Sequence, residues 1–255
     1  MRIEVVYITH QGKIRKHNED SIILLNQVIQ IDEMPIPILK KFDEKKAIFA
    51  VADGMGGHSA GEIASRKVLE YMANKWESID SVQEIIENIQ NSHFMLIEYA
   101  RKNPGIVNFG TTIAGLWISN FRGVVFNVGD SRIYRINQGY LEQISKDQSL
   151  VQSLIEKGQI SEEDAKNHPK KNVILESIGG ILDRRKIKIN IKEINIKEKD
   201  SFMICSDGVS DILSVDEIEN NLKGNSIQNV KNIFDKIMAK GGCDNISIIL
   251  ININK

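Results

Sequence analysis

Aspartates recur along this chain beside glycine or at the end of runs that read as strands: Asp53-Gly54 after Ala47 to Ala52, Asp130 after Val124 to Gly129, and Asp207-Gly208 after Phe202 to Ser206. Asp20, after Asn18-Glu19, and Asp244, after Gly241-Gly242-Cys243, occupy similar turn-like settings at opposite ends of the sequence. Any one Asp-Gly pair at a strand end is most simply a turn. Five such carboxylates on the strand ends of one sandwich could converge, and unpaired negative charges in one cleft repel unless cations neutralise them. A set rich in carboxylates and poor in histidine favours hard, oxygen-preferring ions such as Mg²⁺ or Mn²⁺ over zinc.

Convergence requires a frame. Strand-like runs, short and often β-branched, cover Ala47 to Ala52, Thr112 to Ser119, Gly123 to Val128, Arg132 to Ile136, Ser201 to Ser206 and Ile246 to Ile253. Thr111 to Ile136 reads as a meander with turns at Asn120 to Gly123 and Gly129 to Ser131, and so as antiparallel pairing. Residues 187–196 alternate Ile with Lys, Asn or Glu, the pattern of a half-buried edge strand. The clearest helix spans residues 80–101: apolar positions from Val82 to Ala100 recur at steps of three and four, behind a Ser81/Glu84 capping box. A second helix follows Ser59, a third begins at the Ser214/Glu217 capping box, and Ile227 to Met238 outlines a fourth. Helices grouped between meanders favour a layered α+β sandwich over a doubly wound sheet. Residues 146–180, helical from Ser149 to Lys157, leave the sheet as a surface subdomain, and Asn26 to Lys46 reads as a variable hairpin or loop. Without linkers or repeats, residues 1–255 are expected to form a single domain.

Composition narrows the function classes. Balanced charge, 33 Lys+Arg against 34 Asp+Glu, removes the basic excess of a general nucleic-acid or anionic-membrane binder. No apolar run approaches a bilayer span, Glu4 interrupts any leader-like segment, and two cysteines fit a reducing compartment, so a cytoplasmic protein is expected.

In order, the motifs Gly12-Lys13-Ile14-Arg15-Lys16-His17-Asn18-Glu19-Asp20-Ser21, Asp53-Gly54-Met55-Gly56-Gly57-His58 with Gly61-Glu62, Gly110-Thr111-Thr112, Gly129-Asp130-Ser131-Arg132, Ser206-Asp207-Gly208 and Asp244-Asn245 resemble the series of the PP2C-type (PPM) metal-dependent protein phosphatases, in their compact bacterial form. The resemblance implies a four-layer αββα sandwich of two mainly antiparallel sheets, with residues 146–180 as a flap subdomain. It implies a monomeric protein serine/threonine phosphatase using two or three Mn²⁺ or Mg²⁺ ions, acting on phosphoproteins and opposing a bacterial Ser/Thr kinase. Asp53 would bridge two metals, and Asp207 and Asp244 would complete one site. Asp20 and the Gly54 carbonyl would contribute around the pair, partly through water, and Asp130 with Asp207 would hold a third ion. A metal-bridged hydroxide would attack phosphorus directly.

The resemblance further implies that Arg15 grips the substrate phosphate, a task suited to the guanidinium fork. Glu19 and Asn245 would stand one step out from the metals, Glu19 holding a bound water, and His58 would protonate the departing alkoxide. Other residues take structural readings: His93 as a core histidine, Thr111 and Thr112 as strand openers, Cys205 and Cys243 as buried, inert thiols. Lys146-Asp147-Gln148-Ser149 departs from the family's usual Asp-His-Ser, and His10-Gln11-Gly12 from its Asp-x-Gly, without touching a proposed ligand. The competing readings are a phosphoprotein-binding pseudophosphatase without turnover, and a nuclease or small-phosphoester hydrolase. Retention of all five aspartates, Arg15 and His58 argues against the first; the charge balance disfavours the nuclease.

Overall fold

The computed structural model describes residues 1–56, 60–103, 106, 109–180 and 186–254. Its strands form two mainly antiparallel sheets. The first runs, in spatial order, β10 (Tyr140–Gln143), β9 (Arg132–Asn137), β13 (Ser201–Cys205), β14 (Ile246–Asn254), β1 (Arg2–His10) and β4 (Ile38–Asp43). The second runs β11 (Ile178–Gly179), β6 (Gly110–Thr111), β5 (Lys46–Met55), β7 (Ile113–Ser119), β8 (Arg122–Val128) and β12 (Asn190–Asn195), while β2 (Asp20–Leu24) pairs β5 and β3 (Gln27–Ile29).

The sheets face each other across a core in which Phe49, Leu24, Phe126 and Phe202 are fully buried. Helices α1 (Ala60–Ala73) and α2 (Val82–Lys102) cover the second sheet, and α7 (Ser226–Ala239) covers the first. This is the expected four-layer α+β sandwich. Packing explains the helices: α1 turns Ala60, Ala64, Val68 and Met72 inward, and α2 turns Ile85, Ile89, His93 and Leu96 inward behind the Ser81/Glu84 box. Short helices α3 (Leu150–Glu156) and α4 (Glu162–Lys166) lie in the 146–180 excursion; α5 (Asp207–Ser210) and α6 (Val215–Glu219) follow β13.

Several readings of the sequence need correction. The meander does not stay in one sheet: β7 and β8 pair, but after the Gly129 turn β9 joins β13 in the other sheet. Likewise 26–46 is no hairpin, since β3 pairs with β2 and β4 with β1. Strands β1 and β2 were not anticipated, because nearly continuous burial gives them little of the alternation that marks a half-exposed strand. Ile227, placed on the inward face of the last helix, is exposed. Cys205 is buried but Cys243 is exposed.

Candidate metal centre

Two strand ends from each sheet carry the aspartates. Asp20 opens β2 and lies directly opposite Asp53 in the β2–β5 ladder. β5 continues to Met55, so Asp53-Gly54 is strand rather than turn, and Asp207 is the first residue of α5. Asp244 lies two residues before the start of β14, and Asp130 sits in the β8–β9 turn. Because β2 and β5 face β13 and β14 across the core, these positions meet at one end of the sandwich.

Their mutual electrostatics record the meeting. Burial, and then the nearby Asp207 and Asp244, push the Asp20 carboxyl up to about 7, against hydrogen bonds from Ser206 and Ser247. The Ser206 Oγ donates to Asp20 Oδ2 at 2.8 Å. Burial followed by Asp207, Asp20 and Asp130 holds Asp53 well above the carboxylate range, and Asp53 and Asp207 hydrogen-bond to each other. Asp207 rises to about 6 through burial, Asp244 and Asp211; Asp130 rises well above its ordinary value through burial, Asp207, Asp147 and Asp211. Two acceptors, Asp20 Oδ1 and Asp130 Oδ1, are buried without a hydrogen-bond partner.

Among the described residues no three His, Cys, Asp or Glu side chains already close into a ligand set. The chemistry of the donors nevertheless fits hard divalent cations: only carboxylate oxygens converge, two of them are orphaned, and their charges oppose one another. A cation between them would offset that repulsion.

The surroundings fix the frame. Asp53 is gripped through its backbone: its N–H donates to Thr112 Oγ1 at 3.1 Å, and its carbonyl accepts from Thr112 N–H at 2.8 Å and Thr111 Oγ1 at 2.8 Å. Thr112 Oγ1 also meets Ser131 Oγ at 2.8 Å, so the two threonines read as strand openers in fact tie the Asp53 strand to the Asp130 turn. The Gly110-Thr111-Thr112 motif was the available signal. Gly54 allows β5 to touch the start of α1: a Cβ there would lie 2.1 Å from the Gly61 carbonyl oxygen, and one on Gly61 would lie 2.7 Å from the Gly54 carbonyl oxygen. Gly61 N–H donates to the Glu19 carboxylate, which burial raises above its ordinary range and Arg15 lowers.

Asn245 is a clasp. Its Oδ1 accepts from Glu19 N–H at 2.8 Å, while its Nδ2 donates to the carbonyls of Gln11 and His17, both at 3.0 Å. The loop carrying Arg15 is thereby sewn to Asp244. Arg15 Nη2 lies 2.8 Å from Asp244 Oδ2, bringing an exposed guanidinium to the rim of the cluster. His58 lies outside the described residues. His93 is buried, its Nδ1 accepting from Gly179 N–H at 3.0 Å between α2 and β11. Asp147, noted in the sequence only within the Lys146-Asp147-Gln148-Ser149 stretch and given no role there, has its Oδ2 receiving Arg132 Nε at 2.9 Å and Nη2 at 2.7 Å beside the Asp130 turn.

Comparison with known proteins agrees with this architecture. The family model described as protein phosphatase 2C matches residues 38–240. The chain is 32% identical to the serine/threonine phosphatase stp of Listeria welshimeri, over 96% of this chain and 94% of that protein. It is 30% identical to the protein phosphatase PhpP of Streptococcus pneumoniae, over 82% of this chain and 87% of that one. The crystal structure of the Mycobacterium tuberculosis serine/threonine phosphatase PstP/Ppp superposes with a TM-score of 0.85 at 25% identity, covering 100% of both chains. That of Stp1 from Staphylococcus aureus gives 0.83 at 27% identity, covering 98% of this chain and 95% of the other. With two facing sheets delivering carboxylates to one end, and sequence likeness running nearly end to end, the chain belongs to the protein phosphatase 2C family of metal-dependent protein serine/threonine phosphatases.

Proposed function

We propose that this chain, as one domain, hydrolyses phosphoserine and phosphothreonine in proteins at the aspartate cluster, with Asp20, Asp53, Asp130, Asp207, Asp244 and the Gly54 carbonyl holding two or three Mn²⁺ or Mg²⁺ ions. The observation that carries the reading is the meeting of Asp20, Asp53, Asp130 and Asp207 with two orphaned, buried acceptors. When bound, such cations acidify water and offset charge on the attacking and leaving oxygens of an in-line displacement. The chain's own residues supply the rest. Arg15 presents the planar fork that phosphate oxygens accept from, and Asp244 holds it at the rim until substrate competes for it. Glu19, fixed by Gly61 and Asn245, orients water. His58 donates the proton the serine or threonine alkoxide needs on leaving.

The substrates are phosphoproteins, and a partner Ser/Thr kinase would supply them from the cytoplasm, the chain acting as a monomer. Among the described residues no helix is long and apolar enough to cross a membrane. The deciding experiment is phosphate release from a phosphothreonine peptide and from an aryl phosphate with Mn²⁺, with Mg²⁺ and with excess EDTA, alongside Asp207→Asn. Turnover that disappears in EDTA and in a folded Asp207→Asn protein is expected. Near-normal turnover in Asp207→Asn refutes the ligand set, and cation binding without turnover by the parent chain leaves a phosphoprotein-binding module.

A further inference from the structure

Gln148 stands in the stretch that departs from the family pattern, and the structure ties it by hydrogen bonds to Gly129, Lys188 and Leu175. Its backbone N–H donates to the Gly129 carbonyl at 2.9 Å, and its side-chain Oε1 accepts from Gly129 N–H at 2.8 Å. Its Nε2 donates to the Lys188 carbonyl at 2.9 Å. Gly129 has φ +99° and immediately precedes Asp130, so both hydrogen-bonding groups of the turn residue that aims Asp130 are held by Gln148. Lys188 lies just before β12, where the chain returns from the 146–180 excursion, and Gln148 lies where it departs. A single buried amide therefore joins the two stems of the flap to the turn that carries Asp130.

Two asparagines extend the joint. Asn127 and Asn190 are directly opposed in the β8–β12 ladder. Asn127 Nδ2 donates to the Lys146 carbonyl at 2.8 Å and to the Gly129 carbonyl at 3.3 Å; Asn190 Nδ2 donates to the same Lys146 carbonyl at 2.9 Å. On the flap side, the Gln148 carbonyl accepts from Leu175 N–H at 2.7 Å and Leu150 N–H donates to the Val173 carbonyl at 2.8 Å, closing the base of the excursion. Side-chain amides suit this work because each offers a donor and an acceptor in one plane, and a buried amide network specifies one arrangement when its members are satisfied.

We infer that Gln148 is a positioning residue that makes the conformation of the flap and the placement of Asp130 a single unit, resting on the reading above that Asp130 is a cation ligand. It touches neither substrate nor reacting atoms; it acts through Gly129 on one side and Lys188 on the other.

Two variants separate these arms. Gln148→Met keeps the volume and removes the amide, leaving the Gly129 N–H and the Lys188 carbonyl unmatched. Gln148→Glu keeps an acceptor for Gly129 N–H and loses the donor to Lys188. The measurements are Mn²⁺ binding by calorimetry and the rate of tryptic cutting at the flap residues Lys157, Lys166 and Lys170, with melting temperature as the check on folding. Because Gln148→Met leaves the buried Gly129 N–H unsatisfied, it should weaken the Asp130-dependent part of Mn²⁺ binding about tenfold and speed flap cutting about tenfold. Gln148→Glu should be cut as fast, yet bind Mn²⁺ no more weakly than the parent chain. Flap cutting that stays at the parent rate in both variants overturns the joint, as does weakened Mn²⁺ binding in Gln148→Glu. Asp130→Asn separates the two levels of the argument: Mn²⁺ binding unchanged by Asp130→Asn would remove the ligand reading, and the cutting rates would then decide the joint alone.

Discussion

Asp244 shows how much one carboxylate is asked to do: it accepts from Arg15, faces Asp20 and Asp207, and adjoins Asn245, the clasp of the Arg15 loop. Arg15 is half exposed, so its pairing with Asp244 contributes little to stability, and its value lies in where it holds a charged fork. A lysine there would keep the charge and lose the fork. Arg15→Lys should raise KM for a phosphothreonine peptide by about tenfold with kcat within a few-fold, measured by steady-state kinetics; lost kcat at unchanged KM would take Arg15 out of phosphate binding. His58 has a different signature. Alkyl phosphates need a protonated leaving group and aryl phosphates hardly do, so His58→Ala should slow the phosphopeptide by about 10²-fold or more and the aryl ester far less. Equal losses would reject the proton-donor role. The cysteines are not equivalent at this scale: burial lifts the Cys205 thiol to about 12, making it unreactive at neutral pH, whereas Cys243 is exposed.

At the scale of elements, the contact between the end of β5 and the start of α1 governs the site. Glu19, Gly54 and Gly61 lie backbone against backbone there, with Gly54 N–H donating to the Glu19 carbonyl at 3.1 Å. Side chains cannot enter such a contact without moving α1 or β5. Gly54→Ala should therefore cost about 1–3 kcal/mol of stability and reduce activity out of proportion to that loss, as read by thermal melting and turnover together. An alanine variant that melts and turns over like the parent would show that the contact can open freely. The crossing of β9 and β4 between sheets belongs to this scale too. Local sequence marks β9 and the turn before it, but β9 follows β8 by a short turn in either arrangement, and only pairing with β13 selects the first sheet.

For the whole molecule, gathering five acidic residues at one end of a sandwich makes stability depend on pH and on cations. Asp20 and Asp207 have carboxyls raised to about 7 and about 6 from an ordinary 3.8. A raised carboxyl binds its proton more tightly in the folded chain, so that stabilisation is complete below the ordinary value and is lost as pH climbs through 6 and 7. In EDTA the melting temperature should accordingly fall between about pH 5 and pH 8, by an amount on the order of a few kcal/mol in stability. Mn²⁺ should restore more at pH 8 than at pH 5, because cation and proton compete for the same oxygens. A melting temperature in EDTA that rises across this range would contradict the buried, coupled cluster.

Much of this was legible in the chain itself. Hydrophobic steps of three and four marked α2, α1 and α7, and capping boxes at Ser81 and Ser214 marked the starts of α2 and α6, because helical partners lie close in sequence. The aspartates were legible because each stands at a strand end beside small residues, and the motif order named the family. What sequence could not decide were relations between distant segments: that Asp20 is paired with Asp53, that Asn245 sews residues 11–19 to β14, that Thr112 reaches Ser131, and that Gln148 joins both flap stems to Gly129. The physical reason is range. Helix periodicity and turn chemistry are local properties that any short window carries, whereas the register of two sheets, and the carboxyl groups it forces together, exist only once the core has closed between them.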